Sequence, residues 1–372
     1  MFYENKKDRN QLIMFILLVV IIALLSVMII KLDASNQNYN IKTDYVTQKL
    51  STTDEEKVEN DAIKIIGNAS KCIVGISKLK QNGNTVFLEN AEKTLGLGSG
   101  IIISDNGYII TNEHVSGGKY SNCFVTLESG KTYDGTVIWS NSDLDLSIIK
   151  IMAAGLNYID LGDSDNISLA DEVYAIGNPI GIEFQRTVTK GIVSGKNRTI
   201  KIEETETEGS YMEDLIQTDA TINEGNSGGA LINKNGELIG VNTVKISDAE
   251  GIGFAVPINI VKPILEKLIN EGKFEEAYLG IFGYDKEVIP YLNSELNIES
   301  GIYVASIAID GPAFNKGLQI GDIITSVDDI LLYKMNDLRQ YIYTKKPGDK
   351  IKLNINRNKQ KESIEIELGT QT

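Results

Sequence analysis

Between residues 61 and 247 one short apolar run follows another, and Gly, Asn, Asp and Ser punctuate them. Cys72 to Ile76, Gly100 to Ser104, Tyr108 to Thr111, Phe124 to Leu127 and Leu146 to Ile151 are the first of these. Glu172 to Ile176, Thr187 to Ser194, Leu215 to Thr218, Ala230 to Ile232 and Leu238 to Val241 continue the series. No long amphipathic helix separates them. Runs of this length and spacing predict antiparallel strands in a barrel or sandwich, not a parallel sheet. Asp105-Asn106-Gly107, set between two runs, reads as a hairpin turn. Helical spacing returns only at Ile258 to Glu271, which closes the region.

From about Ala277 the pattern changes. Short strands at Gly301 to Ser306, Asp322 to Val327, Ile351 to Asn356 and Ser363 to Leu368 surround a helix expected over Met335 to Thr344. That is a small α/β module with enough chain for its own core. The whole chain has 372 residues, a length that suggests two or three domains.

Leu12 to Ile30 is a 19-residue run without a charge, interrupted only by the polar Ser26. As a helix it would be roughly 30 Å long, the thickness of a bilayer core. Lys6, Lys7 and Arg9 precede it, which places residues 1–11 in the cytoplasm and the rest outside. The competing reading, a cleaved signal peptide, lacks a small-x-small site before Asn36. Residues 31–60 are polar and read as a flexible tether. The expected domains are therefore an anchor at 12–30, a tether at 31–60, a strand-rich domain at 61–272 and the α/β module at 273–372.

The net charge of −15 argues against nucleic-acid partners. Cys72 and Cys123 are the only cysteines, and either a single bridge or two buried thiols fits them. One histidine, His114, means that any imidazole chemistry depends on it and that no multi-histidine metal site exists.

Gly225-Asn226-Ser227-Gly228-Gly229 sets a serine among glycines just before an apolar strand. Such a turn can expose a hydroxyl while letting a carbonyl approach backbone N–H groups. The oxyanion-binding turn is expected at Gly225, Asn226 and Ser227, with the Gly225 and Ser227 amides as donors. His114 follows the strand Tyr108 to Ile110, and Asp145 precedes the strand Leu146 to Lys150. Asp143 is the rival carboxylate. Ser227 as nucleophile, His114 as general base and Asp145 as its orienting carboxylate would form a triad in the order His, Asp, Ser.

The chain resembles the HtrA/DegP family of serine proteases. Gly98-Ser99-Gly100, Thr111-Asn112-Glu113-His114-Val115, Asp145-Leu146 and Ala175-Ile176-Gly177-Asn178-Pro179 carry the resemblance. So do Thr189 to Ser194, Ile216 to Ala220, Gly225 to Gly229 and Gly253 to Pro257, all in family order. The resemblance implies a mainly β fold, with a chymotrypsin-like double β-barrel before the small module. It also implies a homotrimer, no cofactor or metal, and cleavage of unfolded or damaged proteins. Glu224 stands where the family often has proline, which bears on activation and subsite preference. Thr221, six residues before Ser227, gives no reason to expect cleavage after Arg or Lys. The resemblance implies small aliphatic residues there instead.

Tyr278-Leu279-Gly280-Ile281, Gly311 to Phe314 and Gly317 to Ile324 resemble a PDZ domain. The resemblance implies that Tyr278, Leu279, Gly280 and Ile281 offer N–H groups to the C-terminal carboxylate of a peptide, which adds as a strand. The helix over Met335 to Thr344 would flank that groove. Leu79 to Leu95 and Asn197 to Glu213 read as long polar loops, the second holding the acidic run Glu203 to Glu208. Taken together these features imply a membrane-anchored, ATP-independent endopeptidase on the extracytoplasmic side of the cell membrane, regulated by PDZ-bound peptides. The alternative is a chaperone or peptide-binding scaffold with a latent barrel.

Overall fold

The computed structural model describes residues 6–37, 55–79, 95–178, 186–202, 210–223, 225–245, 251–289 and 298–370. Glu224, the acidic run at 203–208 and most of the expected loop at 79–95 lie outside the described residues.

Two compact units divide the chain, residues 1–57 and 58–372. In the first, helix α1 (Lys6–Gln37) contains the apolar run. The side chains described from Met14 to Met28 are exposed. Among the described residues no helix is long and apolar enough to cross a membrane.

Helix α2 (Glu55–Lys71) begins inside the segment expected to be a flexible tether, which corrects that reading. Its polar composition hides a weak apolar face. Ala69 is buried and Ile66 packs against the barrel core. The tract is polar on average and amphipathic by position.

Six strands close the first barrel: β1 (Ile73–Leu79), β2 (Leu95–Ile102), β3 (Tyr108–Thr111), β4 (Asn122–Thr126), β5 (Thr132–Asn141) and β6 (Leu146–Ile151). Their order around it is β1-β2-β3-β6-β5-β4. The second barrel uses β7 (Glu172–Gly177), β8 (Thr187–Ile202), β9 (Ser210–Thr218), β10 (Ala230–Asn233), β11 (Leu238–Lys245) and β12 (Gly253–Pro257). Its order is β10-β11-β12-β9-β8-β7. All pairings are antiparallel, as the short punctuated runs predicted. The Asp105-Asn106-Gly107 turn joins β2 to β3, with Ile101 opposite Ile110. Gly107 has φ +96°, and a Cβ there would lie 2.6 Å from the Ile151 carbonyl oxygen. Only glycine suits that turn.

Strand β5 was not evident from the sequence, and β8 and β9 reach well into the segment read as a polar loop. Burial in β5 alternates from Asp134 onwards, so half of its side chains face solvent and dilute the apolar signal. Cys72 and Cys123 are both buried free thiols. Burial pushes each up to about 11, which keeps them protonated.

After a 3-10 turn at Ile258–Ile260, helix α4 (Lys262–Glu271) ends at Gly272, whose φ of +72° is a left-handed cap. Here α3 denotes the one-turn helix Glu113–Ser116. The C-terminal module has a main sheet of β14 (Ile281–Tyr284), β15 (Ile302–Ile307), β16 (Ile323–Val327), β18 (Lys350–Arg357) and β19 (Gln360–Glu367). β17 (Ile330–Leu331) pairs with β16, while β13 (Ala277–Tyr278) pairs with β20 (Gly369–Thr370). The module also contains helices α5 (Pro312–Asn315) and α6 (Met335–Thr344). The bounds of α6 are those the sequence predicted. The module has its own core, centred on Ile302, Val304, Ile324, Leu353 and Ile355.

Candidate active site

His114 lies on α3, immediately after the buried strand β3. Its backbone N–H donates to Asp145 Oδ1 at 3.0 Å, and its ring Nδ1 lies 2.7 Å from Asp145 Oδ2. The rival Asp143 does not share this contact. Its carboxylate meets Arg339 at 3.1 Å and its side chain is half exposed.

Asp145 has φ +50°, a left-handed conformation that aspartate tolerates better than most residues. Its backbone carbonyl accepts from Asn112 Nδ2 at 2.9 Å and from the Glu113 N–H at 3.2 Å. Both ends of this residue are thereby fixed relative to α3. The Thr243 hydroxyl donates to Asp145 Oδ2 at 2.9 Å, so the oxygen facing the imidazole is also held from the second barrel.

Ser227 sits in a tight turn before β10. Gly225 and Gly228 have φ of +91° and +80°. A Cβ on Gly228 would come within 2.2 Å of both the Ser99 carbonyl oxygen and Thr111 Oγ1, so a side chain is excluded there. The Ser227 hydroxyl donates to the Thr243 carbonyl at 2.9 Å, and not to His114. The Asn226 N–H is occupied by the Asn223 carbonyl at 2.9 Å. Of the three residues expected to form the oxyanion-binding turn, Asn226 therefore contributes shape and not a free donor. The N–H groups of Gly225 and Ser227 have no acceptor among the described residues.

Comparison with known proteins adds to this geometry. Residues 98–241 match the trypsin-like peptidase domain family and residues 274–368 the PDZ domain family. The serine protease Do-like HtrA of Bacillus subtilis is 37% identical over 326 residues, covering 82% of this chain and 72% of its own length. The chain belongs to the HtrA family of serine proteases. A second HtrA, from Lactobacillus helveticus, is 35% identical over 291 residues, 74% of this chain and 69% of that protein. Among solved structures, the HtrA-type protease AlgW with a tripeptide superimposes with a TM-score of 0.58 at 32% identity. It covers 84% of this chain and 97% of that one. The fold is thus a trypsin-like peptidase domain of two barrels followed by one PDZ domain.

In this HtrA protease the predicted PDZ residues form one continuous turn. Tyr278 pairs with Gly369 in the β13–β20 ladder. Leu279 is buried and its carbonyl accepts from the Ala313 N–H at 3.1 Å. Gly280 has φ +79° and its carbonyl accepts from the Ala308 N–H at 2.9 Å. Ile281 then opens β14, which among the described residues ends the strand order of the sheet.

Helix α6 packs on β13, and also on α4 and β9 of the protease domain. Lys334 Nζ bonds Asp214 Oδ1 and Asn197 Oδ1, each at 2.6 Å. Tyr343 meets Trp139 edge to face at 6.1 Å, and Tyr211 meets Tyr284 of β14 at 6.4 Å. The HtrA PDZ domain is docked on the protease beside the Asp145 loop. Thr243 and Ser99 are the contributors that sequence reasoning did not assign. The available signal was a hydroxyl residue inside an otherwise apolar or glycine strand.

Proposed function

We propose that Ser227, His114 and Asp145 are the catalytic triad of this protease, and that it cleaves unfolded or damaged exported proteins without ATP. The 2.7 Å contact between His114 Nδ1 and Asp145 Oδ2 is the observation that supports this most directly. It fixes the imidazole tautomer and leaves Nε2 to act as base.

In the proposed reaction Ser227 first rotates away from the Thr243 carbonyl so that its hydroxyl faces His114 Nε2. Its oxygen then bonds the scissile carbonyl carbon as its proton passes to His114. The Gly225 and Ser227 amides hold the resulting oxyanion. The C–N bond breaks as His114 returns the proton to the leaving amine. Water, deprotonated by His114, hydrolyses the acyl-enzyme and restores Ser227.

The remaining parts of the proposal concern placement and control. The apolar run Leu12 to Ile30 after Lys6, Lys7 and Arg9 supports a membrane anchor with the catalytic domain outside the cytoplasm. Tyr278 to Ile281 would bind peptide C-termini and regulate the barrel, and the family suggests a homotrimer. The second reading, a peptide-binding chaperone with a latent barrel, draws on the Ser227 bond to Thr243.

The test uses the full chain in detergent, wild type and Ser227→Ala, with unfolded casein at neutral pH and no ATP. Cleavage by the wild type alone is expected. If neither cleaves, even with added C-terminal peptides, the latent reading prevails. Equal cleavage by both would remove Ser227 from the mechanism. Alkaline carbonate extraction of cell membranes tests the anchor, since an anchored chain stays with the pellet.

A further inference from the structure

We infer that Ser99 is a positioning residue that holds the oxyanion turn in its donor-presenting form, an inference that rests on Ser227 being the nucleophile. Ser99 lies on β2 of the first barrel and is completely buried. The turn it touches belongs to the second barrel, more than a hundred residues away in sequence. All its hydrogen-bonding groups are engaged. Its hydroxyl donates to the Gly225 carbonyl at 2.5 Å and accepts from the Asn178 N–H at 2.7 Å. Its N–H donates to the Ser227 carbonyl at 2.9 Å, and its carbonyl accepts from the Thr111 hydroxyl at 2.6 Å.

Two of these bonds act on peptide planes. A peptide unit is rigid, so fixing both of its edges fixes its rotation. In the Gly225–Asn226 unit the C=O goes to Ser99 and the N–H to Asn223 O. In the Ser227–Gly228 unit the C=O goes to Ser99 and the N–H to Asn242 O. Between them lies the Asn226–Ser227 unit. Its C=O accepts from the Gly229 N–H at 2.9 Å, and its own N–H, on the opposite edge, is the donor a substrate oxyanion would use. Ser99 therefore holds the units on both sides of the nucleophile's amide.

Glycine at 225 has no Cβ to resist a flip of its peptide. What resists it is the hydroxyl. Removing the hydroxyl leaves the Gly225 carbonyl and the Asn178 N–H buried without that partner, and the turn gains reason to reorient. Ser99 also connects nucleophile to base. Thr111, which bonds its carbonyl, ends β3 three residues before His114. No atom of Ser99 needs to touch substrate for this role.

The experiment compares Ser99→Ala with wild type and Ser227→Ala in the full-length protein, using a peptide substrate, a peptide aldehyde and an uncleaved peptide ligand of the same sequence. The aldehyde forms a tetrahedral adduct with the serine oxygen and so reports on the oxyanion donors. The uncleaved peptide reports on ground-state binding. For Ser99→Ala, kcat should fall about 100-fold with KM changed less than about threefold, on the scale of a lost oxyanion donor. Aldehyde affinity should fall in parallel while peptide affinity holds. The pH at which kcat/KM rises should not move, because the His114–Asp145 pair is untouched. Ser99→Thr keeps the hydroxyl and should recover most of kcat.

A Ser99→Ala enzyme within threefold of wild type in kcat overturns the inference. So does a parallel loss of peptide and aldehyde affinity. Should Ser99→Ala fail to fold, Ser99→Thr decides. A folded, active Thr variant supports the hydroxyl's role, and a Thr variant that is inactive or unfolded overturns it. Undiminished activity in Ser227→Ala would instead overturn the triad and this inference with it. Loss of activity there, with Ser99→Ala unaffected, leaves the triad standing alone.

Discussion

Thr243 shows how a single residue can serve both barrels. Its side chain donates to Asp145 Oδ2, while its main-chain carbonyl accepts the Ser227 hydroxyl. Thr243→Val keeps the shape and the carbonyl but deletes the donor. A hydrogen bond to a charged group contributes about 1.5–3 kcal/mol. In the proposed triad Asp145 faces an imidazolium in the transition state, so part of that loss should fall there. We expect kcat/KM to drop roughly tenfold, about 1.4 kcal/mol, measured with a peptide substrate at neutral pH. An unchanged value would mean that His114 and the backbone hold Asp145 without help. The His114–Asp145 contact and the glycine-bounded turn at Ser227 were legible in the sequence because their residues are chemically conspicuous: a sole histidine, an acid before a buried strand, a serine among glycines. Thr243 and Ser99 were not. They are ordinary hydroxyls in strands, and their roles depend on how the barrels meet.

Helix α6 is the element through which the PDZ domain meets the protease. Among the described residues two ionic contacts hold it, and their surroundings separate them. Arg339 reaches Asp143, whose side chain is 50% exposed, so this pair is screened and should contribute less than about 1 kcal/mol. Lys334 reaches Asp214, only 12% exposed, and bonds Asn197 as well. Lys334→Ala would leave Asp214 without its cation, and should cost about 2 kcal/mol. We expect a lower urea midpoint and faster cleavage by an added protease near the domain junction. Arg339→Ala should shift the midpoint far less, and equal effects would contradict this ranking. Leu338 and Ile342 at helical spacing made α6 readable in advance. Helix α2 was hidden by its polar average. The β8–β9 extension was hidden because Arg198, Thr199 and Lys201 dilute an alternating strand.

At the scale of the molecule, acidic groups gather where the two folded domains meet. Glu213 of β9 is pushed up to about 8, first by burial and then by Asp285, with Asp214 and Asp143 adding to the rise and Arg339 opposing it. One of its carboxyl oxygens, Oε1, is buried with no partner among the described residues. Asp285, at the end of β14, is pushed up to about 6 by burial and by Glu287. Asp214 is raised by burial too, against the pull of Lys334. In the unfolded chain Glu213 ionises near its ordinary value of 4.5. Between that value and about 8 the unfolded chain has lost a proton that the folded chain keeps. Stability therefore falls as pH rises through this window and levels off above it. The direction is opposite to that of a carboxylate satisfied by a cation. Upper-bound arithmetic allows no more than a few kcal/mol from this one group. The melting temperature should accordingly be higher near pH 5 than near pH 8. Glu213→Gln removes the titration while keeping the shape, and should flatten that difference by several degrees. A pH profile for Glu213→Gln that parallels the wild type would show that Glu213 ionises freely in the folded protein, and that its burial between the domains does not govern their stability.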